Sequence, residues 1–189
     1  MVTTSTDVRA RSRNKLLAAA TELLVAGGPG AVTVDAVSDR SGVAKSTLYR
    51  HWRSVDELLV AVVHANVPAP VEVDLEAGFE AALRRWMASA VDTLSAPNWP
   101  RVLSALLELR TSSPELAALL EADFEAKLST MAEILALGAA EGRVPPGLEP
   151  RMVTQTLVGP VVLAALSGDT EQAAALGDYV LQRFLASYA

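Results

Sequence analysis

Residues 33–52, Thr-Val-Asp-Ala-Val-Ser-Asp-Arg-Ser-Gly-Val-Ala-Lys-Ser-Thr-Leu-Tyr-Arg-His-Trp, decide how the chain is read. They describe two short helices joined by a tight turn. Thr33 is placed to cap the first helix, because its hydroxyl can accept from a free N–H of the opening turn. Gly42 stands where the chain must reverse, and glycine takes positive φ there without strain. Val37, Val43 and Leu48 form a small apolar plug, and Ser38 is small enough for two helices to approach closely. The second helix turns Lys45, Ser46, Thr47, Tyr49, Arg50 and His51 to solvent. Helical hairpins with a glycine turn are common, so spacing alone leaves the role open. The residue content favours one role. Cationic, hydroxyl and aromatic side chains with almost no acid make a poor core and a good reader of phosphates and bases. That is the pattern of a helix-turn-helix whose second helix enters the DNA major groove.

Gly42 to Trp52, followed by Arg53-Ser54-Val55-Asp56-Glu57-Leu58-Leu59, resembles the signature of TetR-type transcriptional regulators. The resemblance implies an all-α fold, with a three-helix N-terminal helix-turn-helix head on a larger helical-bundle domain for ligand and dimer contacts. It also implies a homodimer that a small molecule releases from DNA. Tyr49 and His51 fall on the family's phosphate-contacting positions. Three residues depart from the family pattern. Ser38 replaces an alanine. Ala44 replaces a capping serine, which removes a bond typically worth ~1 kcal/mol. Val55 replaces a lysine, which puts one phosphate contact in doubt.

Outward from the hairpin, a helix runs from Arg9, Arg11 and Arg13 to about Ala26, with Leu16, Leu17, Ala20, Leu23 and Leu24 on one stripe. The arginines suit either a backbone contact or a solvated helix start. On the other side, Ser54 and Glu57 have the spacing of a capping box. Leu58, Leu59, Val62 and Val63 then give an apolar face, and Pro68 and Pro70 close the helix. The expected division is therefore 1–53 for the DNA-binding head, 54–67 for a bridging helix, and 68–189 for ligand binding and dimerisation.

The net charge of −6 over 189 residues looks wrong for a DNA binder until it is divided. Residues 1–53 hold eight Lys/Arg and four Asp/Glu, a net +4. Residues 54–189 hold eight and 18, a net −10. A basic head on an acidic body concentrates phosphate attraction at one end.

In the body, helical spacing recurs through Leu75, Phe79, Leu83 and Trp86, then Val102 to Leu107, then Leu116 to Leu135. Alanine-rich helices leave room between them, and Trp86, Met87, Trp99, Leu103, Leu107, Phe124, Leu128 and Met131 are the expected walls of a mostly apolar effector pocket. Each is equally at home in an ordinary core. Glu108 and Arg110 can face that pocket, pair with each other, or face water. The last two helices, near 150–167 and 170–188, carry more apolar residues than one narrow stripe needs. They are expected to form the dimer surface as a four-helix bundle; burial against their own body is the alternative.

The chain has no cysteine, two histidines, and no nucleotide-binding or hydrolase motif. No catalytic residues, no metal, no cofactor, no membrane span and a cytoplasmic location are expected. The function expected is a ligand-responsive transcriptional regulator, a repressor on a palindromic operator. The alternative is a small-molecule-binding protein or enzyme with a vestigial head.

Overall fold

The first helix, α1 (Ser5–Gly27), ends where the sequence turns to glycine and proline, and a 3-10 turn at Pro29–Ala31 follows. The structure, a computed structural model, describes residues 5–66, 71–96 and 99–188. Pro68 and Pro70 lie outside the described residues. Helices are joined by turns and short irregular segments, and no strand occurs among the described residues. The all-α fold with an N-terminal helix-turn-helix is what the sequence leads one to expect.

Two compact units divide the chain. One contains residues 1–68 and 101–119; the other contains 69–100 and 120–189. The chain therefore passes between units three times.

In the first unit, α2 (Val34–Ser41) and α3 (Lys45–His51) form the helix-turn-helix. Thr33 caps α2 as expected, its Oγ1 accepting from Ala36 N at 3.2 Å. Gly42 ends α2 at φ +66°, and its N–H donates to Ser38 O at 3.0 Å. Ser38 does more than allow close approach. Its hydroxyl donates to Val43 O at 2.7 Å, while Ser41 Oγ accepts from Val43 N at 3.2 Å. Both polar backbone groups of Val43 are thereby satisfied inside the turn, which fixes the angle at which α3 leaves. Below, Leu16, Leu24, Val37, Leu48, Leu58 and Val62 are buried on α1 to α4. Burial of a side chain of this size is worth ~1.5–3 kcal/mol.

α4 (Val55–Asn66) starts at a cap that differs in one bond from the expected box. Glu57 N donates to Ser54 Oγ at 3.1 Å, but the Glu57 carboxylate accepts from Arg53 N at 2.7 Å, one residue before the position the box requires. Arg53 is thus tied to the helix start that follows the recognition helix. At the far end, Asn66 Nδ2 donates to Thr21 Oγ1 at 2.9 Å and anchors α4 to α1.

α6 (Trp99–Ser112) belongs largely to this first unit, from residue 101 onward. Its Glu108 is exposed. The carboxylate lies beside Gly28 in the α1–α2 connection, with Oε2 3.2 Å from where a Cβ at residue 28 would stand.

The second unit contains α5 (Phe79–Leu94), the greater part of α7 (Pro114–Ala140), α8 (Pro150–Leu166) and α9 (Thr170–Ala186). Phe79 is buried at the start of α5, and Gly138 of α7 admits its ring: a Cβ at 138 would lie 2.6 Å from Phe79 Cδ2. Phe79 N donates to Glu141 Oε1 at 3.1 Å, which satisfies a helix-start donor left without a side-chain cap. α8 and α9 pack together across a short reversal at 167–169, with Asp169 capping α9 through Gln172 N. Pro160 sits inside α8 without ending it.

Candidate nucleic-acid interface

α3 has seven residues, and Leu48 is its one buried side chain, at 0% exposure. Helical spacing then sorts the others into three rows. Lys45 and Tyr49 lie four apart on one side, Ser46 and Arg50 in the middle, and Thr47 and His51 on the other. Lys45, Ser46, Tyr49 and Arg50 are exposed, whereas Thr47 and His51 are half-buried. Tyr49 is 54% exposed, unusual for a large aromatic ring. Ala44 stands at the N-cap with no side-chain bond, as its departure from the family pattern implies.

The row with Thr47 and His51 faces the start of α1 across an open cleft of about 830 Å³, whose lining includes Arg9, Ser12, Thr47, Arg50 and His51. Ser12 Oγ lies 3.5 Å from His51 Nε2. Arg13 stands over the Trp52 ring, its Cζ 5.6 Å from the centroid, and His51 lies against the same ring at 5.3 Å. Burial, then the charges of Arg9 and Arg13, hold the His51 imidazole below the ordinary histidine range. Among the described residues, Arg9, Arg13 and Arg50 form no salt bridge. This side of α3 is cationic and has no neutralising partner in that set.

The row with Lys45 and Tyr49 differs. Lys45 Nζ is ion-paired with Asp35 in the first turn of α2. The hydrogen bond and the charge of Asp35, with a smaller contribution from Asp39, hold the ammonium above the ordinary lysine range. In sequence Lys45 is one more solvent-facing cation, and nothing nearby in the chain joins it to Asp35. The signal that could have found it is the short turn, which returns the start of α3 toward the start of α2.

The expected pocket residues are spread over both units. Trp86, Met87, Leu128 and Met131 are buried in the second. Phe124, in the same unit, is half-buried beneath Arg151, whose guanidinium carbon lies 4.8 Å from the ring centroid and which also bonds Glu121 and Glu125. Trp99 is half-buried, with its Nε1 enclosed and lacking a hydrogen-bond partner. Leu103 and Leu107 fall in the first unit, and Leu107 is 50% exposed, an unfavourable state for a pocket wall. On the terminal pair, Met152 and Leu163 of α8 are 66% and 68% exposed, and Leu166 and Tyr179 are also exposed. No helix among the described residues is long and apolar enough to cross a membrane.

Comparison with known proteins places this geometry. Residues 16–62 match the family described as bacterial regulatory proteins, tetR family, and residues 77–183 match the tetracyclin repressor-like C-terminal domain. The chain is 40% identical over 76 residues to the HTH-type transcriptional activator FasR of Mycolicibacterium smegmatis, a match covering 40% of this chain and 32% of that protein. It is 33% identical over 92 residues to the HTH-type transcriptional regulator SrpR of Pseudomonas putida, covering 48% and 41% respectively. The chain thus spans less than half the length of these two curated relatives. GusR of Salmonella enterica shares the fold with a TM-score of 0.73 at 15% identity, over 98% of this chain and 97% of that one. With both its helix-turn-helix and its C-terminal helices matched, the chain belongs to the TetR family of bacterial regulatory proteins.

Proposed function

We propose that this chain is a DNA-binding transcriptional regulator, a repressor that holds a palindromic operator as a homodimer and is released by a small molecule. One observation carries the reading. Lys45, Ser46, Tyr49 and Arg50 stand on the outer side of α3 while Leu48 alone anchors it, so the fold leaves a polar, hydrogen-bonding surface unused by its own core. Ser46 and Arg50 are central and face base edges; Thr47, His51 and the capping Thr33 serve the backbone. In this reading residues 1–53 bind DNA, 54–67 carry the signal, and 68–189 provide the effector and dimer surfaces. It assigns no catalysis, and it places the protein in the cytoplasm with the DNA.

The dimer reading rests on α8. Met152, Thr156, Gly159, Leu163 and Leu166 recur at spacings of three and four and are all exposed. An apolar row of this kind is covered by a second copy across a two-fold axis, which also supplies the second head that a palindrome requires. The effector reading rests on Trp86, Met87, Leu128 and Met131, large apolar side chains gathered in one unit.

Binding-site selection from random duplex DNA, followed by a salt series, tests the proposal. The expected result is a palindrome with half-sites ~34–36 Å apart, bound less tightly as salt rises. Tyr49→Ala should weaken it roughly tenfold or more. Selection of no sequence, or full binding by the variant, overturns the reading.

A further inference from the structure

We infer that Asp35 is a specificity-determining residue: paired with Lys45, it makes a donor–acceptor couple that reads one G·C base pair in the major groove. The inference rests on the DNA-binding reading above and extends it to a residue outside the recognition helix.

The ion pair joins the first turn of α2 to the first residue of α3, and both side chains are more than half exposed. An exposed pair of this kind contributes little to stability. Its consequence is positional. The carboxylate occupies one face of the ammonium and restricts where its remaining N–H donors point. Asp39, one turn further along α2, adds a second negative charge near the same lysine. Two acids beside Lys45 repel a phosphate, so this lysine is poorly suited to a backbone contact. A base edge is different, because the pair then offers a donor and an acceptor side by side.

A G·C pair offers this couple the most partners in the major groove, two acceptors for the ammonium and a donor for the carboxylate. Guanine presents O6 and N7, two adjacent acceptors suited to one ammonium, and cytosine presents its N4 amine beside them, a donor for the carboxylate. In the same register an A·T pair turns the adenine N6 amine toward the ammonium and thymine O4 and its methyl group toward the carboxylate; it suits the couple only along the adenine edge, where N7 is a single acceptor beside the N6 donor. Arg50, by contrast, has no acid partner among the described residues and remains available to phosphate or base.

The test is binding-site selection with the full chain, comparing wild type, Lys45→Ala, Asp35→Asn and Asp35→Glu, each checked for an unchanged melting temperature. Lys45→Ala identifies the position that Lys45 reads, as the one whose base preference it loses. Wild type should require G·C there, with substitution costing roughly 5- to 150-fold. Asp35→Asn should relax the same position. It should also bind unrelated DNA more tightly, with a salt slope steeper by up to ~0.9, because the freed lysine then meets phosphate. Asp35→Glu should restore the preference in part. The inference is overturned if wild type prefers A·T at that position, if Asp35→Asn keeps the preference and slope of wild type, or if Lys45→Ala changes the salt slope and no base preference. Selection of no sequence by wild type is a separate outcome; it removes the regulator reading and this inference with it.

Discussion

The two sides of α3 face opposite electrostatic surroundings. Toward α2, Lys45 meets Asp35 and Asp39. Toward α1, His51 and Thr47 share a cleft with Arg9, Ser12 and Arg50. Both sides look similar in sequence, each with one basic group and one hydroxyl or phenol. The difference is contributed by neighbouring helices. On the proposed reading it separates two tasks: a cationic wall holds a phosphate wherever it falls, while a neutralised donor–acceptor pair discriminates between bases.

The largest expected effect comes from removing what holds both sides in place. Leu48→Ala leaves a cavity under α3 and should cost ~2–5 kcal/mol, seen as a lower melting temperature and loss of all DNA binding. An unchanged melting temperature would mean that the two sides are not fixed by this core. Next, Thr33→Ala removes the α2 cap and should cost ~1 kcal/mol by chemical denaturation. It loosens the start of α2, and with it the Asp35 side, so base preference should soften more than salt dependence does. A third change sharpens the contrast from the other side. Arg9→Ala should weaken binding to every sequence alike and reduce the salt slope by ~0.9; a loss confined to one sequence would contradict the assignment of that wall to phosphate.

The smallest effect is a pH dependence. His51 titrates below its ordinary 6.5 in the free protein, so it is neutral at pH 7 and above. A phosphate beside it favours the protonated ring, so the complex binds a proton that the free protein does not. Affinity should therefore rise as pH falls from 8 toward the free-protein value, then level off once the free imidazole is also charged. The change is only a few-fold. His51→Gln should flatten the profile in a binding titration at pH 8, 7 and 6.

Much of the head is legible in the sequence because its signals are local. Thr33 and Gly42 each act within four residues of themselves, as a cap and a reversal, and Leu48 is the one apolar residue of a short polar helix. The capping box is nearly so, and missed only which backbone N–H the Glu57 carboxylate accepts from. The body is less legible. Its helices show in the periodicity, yet residues 101–119 group with the head rather than with the helices that precede and follow them. Nothing in the spacing of Val102, Leu106 and Leu109 states which partner their shared face meets. Glu108 shows the same limit: a lone acid on an apolar helix fits a pocket, a pair or a surface, and its spacing says nothing of Gly28, 80 positions away, beside which the exposed carboxylate lies.

By itself the sequence determined the helices, the turn between α2 and α3, the buried anchor of α3, and the basic head on an acidic body. Each of these follows from backbone propensity, capping or simple charge, which act over one or two turns of chain. The tertiary structure alone decided that Lys45 is paired with Asp35 while Arg50 is not, that His51 sits among arginines, and that α6 groups with the head. Those facts depend on which helices lie side by side. Local periodicity records that a face is apolar, but not what it is packed against.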